Sequence, residues 1–94
     1  MMTIKKLSAM PYAQAHIEID EAGNISLFSY VTRVATFSKD KYLTVYGLYS
    51  QTTRKHISAF CKEYCGCTYA EAKAAYEGKY SYNTEAGDII AWGE

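Results

Sequence analysis

Long apolar runs, prolines and paired cysteines are scarce in this 94-residue sequence. No stretch approaches the ~20 apolar residues that a membrane-spanning helix needs, and the apolar run after Lys5 and Lys6 is too short for a secretory signal peptide. Pro11 is the single proline, and an odd count of three cysteines does not fit a disulfide framework. We therefore predict a cytoplasmic protein with no membrane partner.

An excess of charge of one sign is also missing, since ten lysines and arginines balance ten acids. The cations concentrate in residues 22–62 and the acids in residues 63–94. A balanced net charge argues against an acidic DNA mimic and gives only weak support to a general nucleic-acid binder. The six glycines are isolated from one another, so the sequence has no glycine-rich phosphate loop. We predict no cofactor.

Tyrosine is the residue present in excess, with ten copies beside three phenylalanines and one tryptophan. Its ring is apolar and its hydroxyl is polar, which suits half-buried sheet faces and contact surfaces. Many of these tyrosines lie in segments rich in β-branched residues. One interpretation is that they form the rim of a small core, and the other is that they form a contact surface.

Strand patterns dominate the first half of the chain. Residues 15–19 alternate between polar and apolar, and residues 42–49 separate a Leu43/Val45 face from a Tyr42/Thr44/Tyr46 face. Residues 25–37 are dense in strand-forming residues but long for one strand, so we expect a bend near Ser29 or Tyr30. Residues 88–92 fit a last short strand, after a loop at 81–87.

Two helices follow the strands. Ser50 is a good N-cap and Gly66 a good stop, which predicts a helix over about 51–65. Thr68 and Glu71 have capping-box spacing, which predicts a second helix over about 69–77. The first helix has one apolar stripe, and its cations lie on the opposite side. That stripe consists of Ile57, Phe60, Cys61 and Tyr64.

These elements predict an α+β fold. We expect an antiparallel sheet of three to five strands with the two short helices packed on one of its faces. A chain of this length forms one domain, residues 1–94. Residues 1–12 carry weak signals, and we expect them to be at best partly ordered.

Cysteine and histidine supply the candidate chemistry. Cys61, Cys65 and Cys67 cluster at the end of the first helix, and His56 or His16 can complete four zinc ligands. The spacing matches no zinc finger, so we expect free thiols and no metal. His56 is a candidate general base, but no sequence neighbour supplies a nucleophile and an orienting group. We expect a packed histidine, no catalytic residues and no enzyme.

A contact surface is the remaining prediction. Tyrosine and arginine dominate protein contact sites, and the same mixture can stack single-stranded bases and meet phosphates. If the polar face of strand 42–49 lies near the start of the first helix, its side chains join the helix cations in one aromatic and basic patch. The predicted patch comprises Arg33, Tyr42, Thr44, Tyr46, Arg54 and Lys55.

A short motif gives this chain a resemblance. Residues 49–60 read Tyr-Ser-x-Thr-Thr-x-x-His-Ile-x-x-Phe, and residues 29–32 read Ser-Tyr-x-Thr. Across residues 29–60 the chain resembles small uncharacterised proteins of phages, plasmids and gut bacteria. The resemblance implies a protein encoded on a mobile element and transfers no catalytic residue. Short proteins of that kind often disable a host defence system, and anti-CRISPR proteins are the best-known class.

Three functions are compatible with these observations. The first is a non-catalytic module that binds a host protein and inhibits it by occlusion. The second is a single-stranded nucleic-acid binder that uses the same patch, and the third is a protein that sequesters a nucleotide or small molecule in a tyrosine-lined pocket between sheet and helix. A homodimer is compatible with all three, since many soluble oligomers are two-fold dimers.

Overall fold

The chain forms a single seven-stranded antiparallel sheet in which the strands lie side by side in sequence order. The structure is a computed structural model, and it describes residues 2–8, 10 and 13–92. The strands are Thr3–Lys5 (β1), Ala15–Ile19 (β2), Ile25–Ser29 (β3), Thr32–Phe37 (β4), Tyr42–Val45 (β5), Tyr80–Asn83 (β6) and Ile89–Ala91 (β7).

The helical part lies between β5 and β6. Helix α1 (Gln51–Phe60) continues directly into a π-helical segment (Cys61–Cys65), and helix α2 spans Tyr69–Gly78. The hydroxyl of Ser50 accepts a hydrogen bond from the Thr53 amide at the start of α1. Thr68 and Glu71 form the expected capping box at the start of α2. The helix bounds therefore agree with the sequence signals to within a residue, because caps are local features.

The prediction of three to five strands is wrong, because the sheet has seven. The first additional strand is β1, which pairs with β2 although three residues carry almost no alternation signal. The second is β6, which overlaps the loop predicted at residues 81–87. The third comes from residues 25–37, which are two strands joined at Tyr30, whose left-handed φ of 58° closes a tight hairpin.

Both helices pack on the same face of the sheet, called here the inner face. Helix α1 lies over β3 and β4, and α2 lies over β5 and β6. Leu43 and Val45 point into this layer and are fully buried, together with Phe60 from α1 and Leu7 from the segment after β1. The opposite face, called here the outer face, has no helix over it in the part of the chain that the structure describes.

Candidate interaction surface

A row of aromatic and cationic side chains crosses the outer face from β2 to the end of β5. The His16 and Phe28 rings stack with their centroids 4.8 Å apart and their planes 4° from parallel. Phe28 lies directly opposite Arg33 in the β3–β4 register. The Arg33 guanidinium then lies 5.7 Å from the centroid of the Tyr46 ring. We call His16, Phe28, Arg33 and Tyr46 the outer row.

A β-bulge places Arg33 in this row. Leu27 pairs with Ala35 but Phe28 pairs with Arg33, so Val34 is an extra residue in β4. Both Val34 and Ala35 are buried on the inner face. Strict alternation from Ala35 would have turned Arg33 toward the helices, where its charge would need a buried partner. The bulge reverses the direction of Arg33, which is a common use of bulges near binding sites.

A shallow depression of about 210 Å³ continues the surface toward β7. It is lined by Thr44, Tyr46, Ser81 and Trp92. The Ser81 hydroxyl lies 2.6 Å from the Thr44 hydroxyl and accepts a hydrogen bond from the Trp92 indole N–H at 3.2 Å. The Tyr46 and Thr36 hydroxyls are hydrogen-bonded at 3.1 Å. These bonds fix the aromatic rings before any partner arrives.

The structure brings together some of the residues predicted for the patch and separates others. Arg33 and Tyr46 are in contact, and Tyr42 and Thr44 lie on the same outer face. The other two predicted residues, Arg54 and Lys55, are exposed on α1. Since α1 covers the inner face, the sheet lies between these two cations and the outer row, so the two parts do not form one surface.

Sequence reasoning missed several side chains of this surface. Phe28 and His16 lie at outward positions of β3 and β2, a placement that alternation with Leu27 and Ile17 does indicate. The sequence predicts Trp92 at the end of the last strand but does not predict which side chain it contacts. Its contact with Ser81 depends on β6, and β6 was not recognised as a strand.

Few charges lie on the outer face. In the described structure the Arg33 guanidinium lies over the Tyr46 ring, and the Glu18 carboxylate lies 2.9 Å from His16 Nε2. A phosphate backbone needs several cations along its path, because each neutralised phosphate adds to the affinity. The surface is therefore suited to a largely uncharged partner.

A second group of polar side chains is buried between β3 and α1. Ser29 Oγ lies 2.9 Å from His56 Nδ1 and 3.2 Å from Thr53 Oγ1. Ser50, the N-cap of α1, donates to Thr53 Oγ1 at 3.3 Å. In the described part of the chain no buried side-chain nitrogen or oxygen lacks a hydrogen-bond partner. This network joins the helix start to the sheet, and its members come from the two motif segments noted in the sequence.

The pairing of Ser29 with His56 has the separation of a nucleophile and a base. Both side chains are nevertheless buried, with 3% of Ser29 and 1% of His56 exposed. A substrate would have to displace core atoms to reach the hydroxyl. The geometry favours a structural role for the pair, and the absence of enzymatic activity stays a prediction.

The buried imidazole predicts an acid-sensitive fold. Burial lowers the pKa of His56 below its ordinary value of 6.5. The folded state therefore binds the proton less readily than the unfolded chain, and the stabilisation present above pH 6.5 is lost as the pH falls through the folded-state pKa. We expect the urea midpoint to fall between pH 7.5 and pH 5.5, and to fall less in His56→Gln.

His16→Gln is the control for that measurement, because His16 is half-exposed on the outer face. This variant keeps the buried Ser29–His56 pair, so the acid-induced fall that His56 causes should remain in it. Equal pH dependence in wild-type protein and His56→Gln would show that another group causes the acid sensitivity.

The three cysteines are free and buried. Hydrogen bonds from the Cys61 and Cys65 thiols lower the pKa of Cys67, and hydrogen bonding to Cys61 and Cys67 together with burial raises the pKa of Cys65. Among the residues that the structure describes, no three His, Cys, Asp or Glu side chains are arranged to hold a metal ion. The zinc alternative has no geometric support there.

A larger open cavity of about 440 Å³ lies where the π-helical segment meets the sheet. Lys41 and Lys62 line it together with Glu63 and Glu85, and Tyr64 is its one tyrosine. It is therefore not the tyrosine-lined pocket expected for a sequestering protein. Opposite charges in equal number give it no preference for an anionic nucleotide.

The fold and site define a small α+β protein with an uncovered aromatic sheet face. Residues 2–78 match a family of unknown function, DUF8033, and the chain belongs to this family. The outer row lies wholly within the matched range, whereas β6, β7 and Trp92 lie beyond it. No curated protein and no solved structure matches the chain. No helix in the described residues is long and apolar enough to cross a membrane.

Proposed function

We propose that this protein is a non-catalytic protein-binding module whose contact surface is the outer row together with the adjoining depression. The observation that carries the proposal is the continuity of the row. Its side chains contact one another across four neighbouring strands, and none of the described helices lies over them. Tyrosine, tryptophan and arginine are the residues that dominate the energy of protein contacts.

The fixed positions of these rings support the same function. Tyr46 is held by Thr36 and Arg33, and Trp92 is held by Ser81. Ordering a free side chain on binding costs about 0.5–1.5 kcal/mol. Rings that are already ordered avoid much of that cost, so a modest surface can bind with useful affinity.

The proposed partner is a host protein with an apolar and largely uncharged contact patch. Binding would act by occlusion, because the outer face offers a contact area and the proposal assigns no catalytic residue to it. Inhibition of a defence factor, of the anti-CRISPR type or another, follows only from the motif resemblance. The residues of the outer face do not identify a particular target protein.

Charge reversal on the outer face tests the proposal. We expect immobilised wild-type protein to retain a specific protein from a lysate of the source organism, and Arg33→Glu or Tyr46→Glu to weaken that binding at least about 30-fold. The reason is that a contact residue at the centre of an interface contributes about 2 kcal/mol or more. Affinities are measured with the purified partner by calorimetry.

Arg54→Glu is the matched control, since it changes the charge by the same amount on the helical layer. Its affinity should stay within about twofold of wild type, as exposed substitutions outside an interface usually do. Retention of no specific protein, or a greater loss in Arg54→Glu than in Arg33→Glu, would contradict the proposal.

Single-stranded nucleic acid is a second candidate partner, because aromatic rings on one sheet face can stack bases. With Arg33 as the main cation, raising salt from about 50 to 200 mM should weaken such binding only about threefold. A gel shift at low salt that is abolished by Phe28→Ala would favour this function. The absence of a shift at low salt would exclude it.

A further inference from the structure

Strand β7 is an edge of the sheet, and its hydrogen-bonding register leaves two residues open. The Trp92 N–H donates to the Lys79 carbonyl, and the Asn83 N–H donates to the Asp88 carbonyl. Backbone groups of alternate residues in a strand point to opposite sides, so the backbone groups of Ile90, like those of Asp88 and Trp92, face β6. The N–H and C=O groups of Ile89 and Ala91 consequently point away from the sheet. Among the described residues, no backbone hydrogen bond to these groups from a turn or loop is present.

In the described structure this edge strand has no lysine, proline or bulge, and its short length of three residues is its only protection against pairing with another chain. Proteins protect edge strands with lysine, proline or a bulge. The other edge, β1, carries Lys5 and is followed by Lys6. In contrast, β7 reads Ile-Ile-Ala, and Ile89 and Ile90 are each more than half exposed on opposite faces of the sheet.

We propose that β7 pairs in antiparallel fashion with β7 of a second copy, about a two-fold axis that passes beside Ile90. In this register Ile89 of each copy faces Ala91 of the other, and both are the residues with open backbone groups. Each such pair exchanges two hydrogen bonds, so the symmetric contact makes four. The inference is independent of the proposed function.

Side chains fit the same register. The two copies of Ile90 meet as a directly opposed pair on the outer face, where antiparallel side chains approach most closely. Asp88 falls opposite Trp92 of the second copy, so no like charges face one another. An extended peptide from an unrelated protein would satisfy the backbone groups equally, but only a second copy is certain to supply isoleucine opposite Ile90.

The size of the contact predicts its strength. Stable interfaces bury about 1,200–2,000 Å² in total, and a three-residue edge with one isoleucine pair buries much less. We therefore expect a weak dimer with a dissociation constant in the micromolar range. The dimer would join two sheets of seven strands and place both outer rows on one continuous surface.

Cysteine cross-linking tests the register. Directly opposed residues that are not hydrogen-bonded have Cα atoms about 4.5 Å apart, within the range that a disulfide spans. Ile90→Cys should therefore form a covalent dimer under mild oxidation with oxidised glutathione, while the three native thiols are buried. Ile4→Cys on the protected β1 edge should form no covalent dimer under the same conditions. Equal cross-linking at both positions, or none at position 90, would overturn the proposal.

Ala91→Pro tests the backbone contacts without disturbing β6, because the Ala91 N–H makes no bond within the sheet. The substitution removes two of the four intermolecular bonds and should raise the dissociation constant, measured by sedimentation equilibrium, at least about tenfold. Ala91→Val keeps the N–H and should stay within about threefold. Sedimentation at ~0.5 millimolar protein lies well above the expected dissociation constant, so wild-type protein that is still monomeric there would refute the dimer. Assembly into species larger than a dimer would refute the two-fold symmetry.

Discussion

Leu7→Ala is expected to lower the free energy of unfolding by about 2–5 kcal/mol, a large share of the total for a domain of this size. Leu7 is fully buried in the core although it lies in the segment between β1 and β2. Removing its branched end leaves a cavity that the sheet and helices cannot fill without moving. Urea denaturation followed by circular dichroism measures the loss.

Ile4→Ala provides the comparison from the same segment. Ile4 is 66% exposed on β1, so its truncation should change the free energy of unfolding by less than about 0.5 kcal/mol. If Leu7→Ala were as mild as Ile4→Ala, the residues before β2 would contribute nothing to the core.

Ser29→Ala is expected to destabilise the protein by about 1–3 kcal/mol, more than the volume of one hydroxyl explains. The substitution removes the partner of His56 Nδ1, and burial prevents water from replacing that hydroxyl. A buried polar group left unpaired costs free energy because it has lost water without gaining a hydrogen bond. Chemical denaturation at pH 7.5 keeps the imidazole neutral during the measurement.

A double substitution separates this cause from simple loss of packing. Adding His56→Leu to Ser29→Ala removes the unpaired nitrogen, since replacing both partners of a buried hydrogen bond by apolar groups can be nearly neutral. The double variant should therefore be more stable than Ser29→Ala alone. If the two losses simply add, the Ser29–His56 bond does not stabilise the fold.

Local signals predicted the helices well and the sheet poorly, for one physical reason. The caps at Ser50 and Thr68 act within a single turn, so the sequence near each cap is enough to predict where a helix begins. Strands β1 and β6 have little alternation of their own and depend on pairing with distant residues. Tyr80–Asn83, for example, is a strand because it lies beside β5, which is about 40 positions earlier in the chain.

The make-up of the outer face was predicted only in part, for a similar reason. Alternation along β5 correctly separates Thr44 from Leu43 and Val45, and Tyr46 continues that outer side. It does not reveal the bulge at Val34, on which the position of Arg33 depends. It also does not show on which face of the sheet α1 packs, so Arg54 and Lys55 were grouped with a surface on the other side of the sheet.

Photo-cross-linking tests most directly whether the outer face is the contact surface. A photoreactive phenylalanine at position 46 places the probe within the outer row, and the same probe at position 54 places it on the exposed side of α1. Illumination in a lysate of the source organism should yield a discrete protein adduct from position 46 and none from position 54. An adduct from position 54 alone would place the contact surface on the helices and contradict the account.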